Sequence, residues 1–192
     1  MILSFFPYTL AQKLFAKFLM AFDNERLVEV NESHPANQEV LRYMRSRAEP
    51  RSKWAPDYYS FQYEMQSNVD VLSALREIGK LLPEYSFSVH YGYPALVYPK
   101  GGIIFAIGSG GDLLFLRLPS NVREATLANH ETRAELFIPG RFGWPDSTIY
   151  ASEFGKDWVL KAMLGGDEQR RVELVRIAYD YAATLARTDG QA

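Results

Sequence analysis

Residues 95–118, ALVYPKGGIIFAIGSGGDLLFLRL, constrain the fold more tightly than any other part of the chain, because two glycine-rich breaks divide three apolar runs. Pro99, Lys100, Gly101 and Gly102 separate residues 95–98 from 103–107, and Gly108, Ser109, Gly110, Gly111 and Asp112 separate those from 113–118. Glycine supplies the positive φ that tight hairpins demand, so the pattern predicts a three-stranded antiparallel meander. The runs are almost continuously apolar instead of alternating, which predicts a sheet covered on both faces by helices.

Segments able to provide that cover are legible on either side. Asn68 stands as a cap ahead of Val71, Leu72, Leu75, Ile78 and Leu82, which recur at helical spacing up to the stop at Pro83. Pro119, Ser120 and Asn121 open a helix carrying Val122, Ala125, Leu127 and Ala128, and a closing helix from Asp167 or Glu168 aligns Val172, Val175, Ala178, Ala182 and Leu185. Upstream, Ser33 and Pro35 start a helix over residues 35–48 with Val40, Leu41, Met44 and Ala48 on one side. An amphipathic helix over residues 8–22 carries Leu10, Leu14, Phe15, Phe18, Leu19 and Phe22.

Tyr85, Phe87 and Val89 alternate with polar neighbours and lead through Gly92 and Pro94 into the meander, as one broken strand or two short ones. AELFIP at 134–139 and STIYA at 147–151 predict a short hairpin, and residues 157–164 around Trp158 predict one or two turns of helix. The fold class that follows is α+β: an antiparallel sheet of about five strands, meander plus hairpin, flanked by helices. A helical N-terminal extension over residues 1–67 packs on a main domain over 68–192.

A chain of 192 residues suffices for one domain with a filled core, and 47% hydrophobic with 23% charged residues excludes disordered and fibrous classes. The formal net charge of −2 supplies no long-range field toward nucleic acid or an anionic membrane surface. Absence of cysteine removes disulfides, thiol nucleophiles and cysteine-ligated zinc, and predicts a reducing, cytoplasmic setting. The apolar amino terminus has no basic leader and is interrupted by Lys13 and Lys17, so neither a secretory signal nor a membrane partner is expected.

From residue 68 to 187 the predicted order is helix, three strands, helix, two strands, then one or two helices. Within it stand Gly92 before the first strand, a strand with Gly102, Phe105 and Ala106, and another with Asp112, Leu113, Leu116, Arg117 and Leu118. This pattern resembles the amino-terminal domain of TfoX and the MmcQ/YjbR-like proteins, which share the secretion-chaperone-like α+β fold. Where that family enters its sheet through methionine-phenylalanine-glycine-glycine, this chain has His90, Tyr91, Gly92 and Tyr93. The resemblance implies protein or nucleic-acid binding with a regulatory role, and it carries over no functional residue.

Candidate chemistry is sparse. The 108–112 loop leads into a strand, not into the helix a phosphate-cradling loop requires. His34, His90 and His130 lie in separate segments without metal-ligand spacing, so structural or surface roles are the simpler reading for each. Asp146, Glu153 and Asp157 are close along the chain, but turn and cap duties explain them without acid/base chemistry. His90 has the most suggestive surroundings: with Tyr91, Tyr93 and Arg117 on a neighbouring strand it would form a small anion pocket, or else lie filled in beneath the N-terminal helices. Arg42, Arg45, Arg51 and Lys53, beside Trp54 and the ring-rich run Tyr58, Tyr59, Phe61 and Tyr63, offer a basic and stacking surface for nucleic acid. A solvated helix face followed by inward-packing rings explains the same residues.

No catalytic, metal or cofactor constellation emerges. The leading expectation is a non-enzymatic cytoplasmic binding or regulatory module that recognises a protein partner or another copy of itself. Nucleic-acid binding through residues 42–63, and a small-ligand sensor or enzyme around His90 and Arg117, are the alternatives. Convergence of His90, Arg117 and the tyrosines on an open cleft, instead of a site filled in by the first helix, would raise the sensor reading above the others.

Overall fold

A computed structural model describes residues 27–51, 62–128, 132–133, 135–138, 147–150, 154–163 and 167–188. The predicted helix over 8–22 lies outside them, as do His130, Asp146 and Glu153. A short 3-10 turn, Pro35–Asn37, leads into α1 (Gln38–Arg47), and α2 (Val69–Lys80) follows. Four strands come next: β1 (Phe87–His90), β2 (Tyr93–Tyr98), β3 (Ile103–Ser109) and β4 (Leu113–Arg117). Helix α3 (Ser120–Leu127) precedes β5 (Thr132–Arg133), β6 (Glu135–Ile138), β7 (Ser147–Tyr150) and β8 (Trp158–Ala162), and α4 (Glu168–Thr188) closes the described chain.

The fold is α+β with an open antiparallel sheet, in the order β1-β2-β3-β4-β8-β5. The meander forms as expected, and β1 extends it by one strand through a two-residue turn at Tyr91 and Gly92. Two memberships differ from expectation. The hairpin anticipated at 134–139 and 147–151 is present as β6–β7, but it is a separate two-stranded sheet. Residues 158–162, anticipated as helix, are instead β8, paired along its whole length with β4 from Leu113↔Ala162 to Arg117↔Trp158. Trp158, Val159 and Leu160 are buried, with Val159 in one core and its two neighbours in the other, a two-residue alternation that pairing with β4 enforces over helical spacing.

Each face of the sheet carries its own core. On one, Val71, Leu72, Leu75 and Ile78 of α2 and Leu174, Val175, Ala178 and Ala182 of α4 meet Leu96, Phe105, Leu114, Leu116 and Val159. On the other, Val40, Leu41 and Met44 of α1 meet Val97, Ile104, Ile107, Phe115, Phe154, Trp158 and Leu160. The register of β2 and β3 slips between Leu96↔Ala106 and Val97↔Ile104, leaving Phe105 without an opposite residue. This bulge lets Phe105 and Ala106, adjacent in sequence, both enter the α2/α4 core. Asn37 anchors the 3-10 turn across the second face: its Nδ2 donates to the carbonyls of Asn31 and Gly102, each at 2.8 Å, and its Oδ1 accepts from the Ile104 amide at 3.0 Å.

Candidate functional site

The β1–β2 turn is where conformation, charge and an open groove coincide. A two-residue turn of this kind demands positive φ at both central positions. Gly92 meets the demand at φ +79, and a Cβ there would stand 2.0 Å from the Glu64 carbonyl oxygen. Tyr91 adopts φ +48 despite its bulky side chain, a conformation that persists only where surrounding contacts impose it. Those contacts are specific. The Tyr91 ring meets the Tyr63 ring edge-on at 5.1 Å and the His90 ring at 4.6 Å, while the Arg45 guanidinium lies 5.5 Å over its face. Arg45 Nε donates to the Tyr91 hydroxyl at 2.9 Å and Nη2 pairs with Glu32 Oε2 at 2.5 Å.

Helix α1 and the segment before it thus bring Arg45 and Glu32 over the end of β1. His90 Nε2 lies 3.2 Å from Glu32 Oε1, the oxygen that also accepts from the Tyr91 hydroxyl at 3.4 Å. Burial holds the His90 imidazole below its usual pKa; Glu32 opposes that shift and Arg45 reinforces it. Beside this network runs a groove of about 340 Å³, lined by Glu32, Gln62, Tyr63, Val89, His90, Tyr91 and Gly92. That volume falls at the lower end of the ~300–1,000 Å³ typical of ligand sites.

The sequence-predicted quartet does not converge. His90 and Tyr91 line the groove, whereas Tyr93, opposite His90 in register, turns into the α1 core, where it is 2% exposed and 6.3 Å from the Tyr43 ring. Burial raises its phenol pKa. Arg117 sits on β4, three strands from β1 and therefore about 14 Å across the sheet. It is 3% exposed, stacks 4.9 Å over Trp158 and donates through Nη2 to the Ala36 carbonyl. Burial lowers its pKa to about 10, with Asp157, Tyr181 and Glu39 opposing the shift. Arg117 therefore ties the 3-10 turn ahead of α1 to the sheet and is no part of the groove.

The basic surface divides as well. Arg42 is exposed on α1, Arg45 is engaged by Glu32 and Tyr91, and the Arg51 amide donates to the Gln62 carbonyl at 3.0 Å. Lys53 and Trp54 lie outside the described residues, together with Tyr58, Tyr59 and Phe61. His34 caps the 3-10 turn, its Nδ1 accepting from the Ala36 amide at 3.1 Å. Asp157 accepts from the Tyr181 hydroxyl at 3.2 Å. Among the described residues no group of three His, Asp or Glu side chains is placed to hold a metal, and no helix is long and apolar enough to cross a membrane. Sequence reasoning missed two groove residues, Gln62 and the charged Glu32. Glu32 stands in the polar run NESHPAN with no periodic or motif signal, and only the fold carries it to β1. Compared with protein-family models, curated proteins and solved structures, the chain matches none.

Proposed function

We propose that this chain is a non-enzymatic binding module of the cytoplasm, and that it recognises a protein partner through the groove at the β1–β2 turn. The observation that carries the reading is Tyr91: a strained aromatic residue, fixed by Arg45, Glu32 and Tyr63, forms the wall of an open groove. Strain held by several independent contacts marks a surface whose shape is being maintained. A broad apolar patch is not needed for this recognition; among the described residues Leu81, 57% exposed, is the large apolar side chain left in solvent. Kinship with the TfoX and MmcQ/YjbR-like proteins belongs to the same proposal, supported by the succession α2, meander, α3 and closing α4.

The Tyr91→Gly variant tests it. Releasing φ +48 from a residue with a Cβ recovers ~1–2 kcal/mol, which offsets the lost ring contacts, so the variant unfolds within about 1 kcal/mol of the parent. Affinity capture with both proteins is expected to retain a partner on the parent and lose it on Tyr91→Gly. Equal retention by the two would refute the groove as the recognition surface.

A further inference from the structure

The groove has two backbone walls, and each carries peptide groups with no partner among the described residues. On β1, the Val97 amide donates to the Ser86 carbonyl and the Phe87 carbonyl accepts from Val28, so even-numbered residues of the strand point inward to β2 and odd-numbered ones point to the sheet edge. Val89 follows that alternation, and Pro94, its opposite number, has no amide to offer in return. The N–H and C=O of Val89 therefore face the edge, where no partner stands among the described residues.

The opposite wall repeats the pattern. Tyr63 bridges Pro50 in antiparallel fashion, with the Arg51 amide donating to the Gln62 carbonyl and the Glu64 amide to the Glu49 carbonyl. Both bonds belong to the residues flanking Tyr63, so its own N–H and C=O point away from 49–51, again with no partner among the described residues. Val89 and Tyr63 line the same groove.

From this we propose that the groove accepts an extended segment of a partner protein, which adds to the open edge of β1 at Val89 and runs beside Tyr63. An extended main chain presents amides and carbonyls alternately to its two sides, and so can satisfy both walls at once. One main-chain bond already forms on this edge a step earlier, where the Val28 amide donates to the Phe87 carbonyl at 3.0 Å, and the Val28 carbonyl accepts from the Ser88 hydroxyl at 2.7 Å. That segment leaves the edge by Asn31, whose amide turns to the Gly102 carbonyl, and no described residue pairs with the next edge position. Main-chain pairing supplies the attachment, and the Tyr63 and Tyr91 rings with Glu32 and His90 select the side chains. The inference rests on the groove being the recognition surface.

The test uses the full chain, labelled with nitrogen-15, and amide hydrogen exchange read residue by residue. The probe is a pool of acetylated, amidated pentapeptides built from Thr, Val, Ile, Tyr and Phe, with the same pool methylated on its backbone nitrogens as control. In the free protein the Val89 and Tyr63 amides are expected to exchange as open amides while Ile107 exchanges slowly. The unmethylated pool should slow both by about tenfold or more, and the methylated pool should not. Val89→Pro, tolerable at an edge position, should abolish the effect at Tyr63. Slow exchange at both amides without peptide overturns the inference. Equal effects from the two pools, or shifts at His90 and Tyr91 without amide protection, overturn strand addition and leave the groove reading standing. No response at any groove residue overturns both.

Discussion

At the scale of single residues the β1–β2 turn holds two neighbours with opposite backbone demands. Tyr91 carries a strained φ of +48, whereas Gly92 takes its φ of +79 without strain but has no room for a Cβ, which would stand 2.0 Å from the Glu64 carbonyl oxygen. Gly92→Ala is expected to lower stability by ~2 kcal/mol or more in denaturant unfolding, in contrast to the near-neutral Tyr91→Gly. His90 makes a separate prediction. Its folded pKa lies below the unfolded value because burial disfavours the imidazolium, so above about pH 6.5 the neutral ring costs nothing. As pH falls the unfolded chain takes up the proton first, and stability declines between the unfolded pKa and the lower folded one. Nuclear magnetic resonance titration should place the His90 midpoint below that of a free histidine. Glu32→Gln, which removes the group favouring the charged ring, should lower it further; an unchanged or higher midpoint in that variant contradicts the geometry.

At the scale of elements, one ring between β7 and β8 links the parts of the second core. Phe154 is fully buried, stacks on Phe115 at 4.1 Å, and touches Tyr43 and Trp158 at centroid distances of 4.2 and 5.7 Å, so it joins α1, β4 and β8. Phe154→Ala should cost ~3–5 kcal/mol in equilibrium unfolding, and α1 should lose protection before the meander does. The sequence made the meander legible because its glycine clusters and apolar runs are local signals, and α2 and α4 because their apolar spacing and breakers are local too. Residues 158–162 were misread for a matching reason. Five residues around a tryptophan are too short for periodicity to separate strand from helix, and the partner that decides, β4, lies some forty positions away. The Phe105 bulge likewise has no sequence marker, since Ile104, Phe105 and Ala106 read as one apolar run.

At the scale of the whole molecule, a sheet buried on both faces leaves its edges as the places where backbone groups meet solvent, and one of those edges carries the groove. The doubly covered sheet was foreseeable from continuous apolar strands; the site was foreseeable only in part. His90, Tyr91 and Tyr63 stand out as rings clustered in the sequence, but Glu32 and Arg45 reach them across some forty-five to sixty positions through the fold. Arg117 looked like their neighbour because β1 and β4 belong to one meander-like run, yet two intervening strands separate them. The most direct measurement is hydrogen exchange on the full chain, alone and with the partner retained by affinity capture. Recognition at the β1–β2 turn predicts new protection concentrated at residues 62–64 and 89–92, with α4 unchanged; protection centred on α4, or none at the turn in a saturated complex, would contradict it.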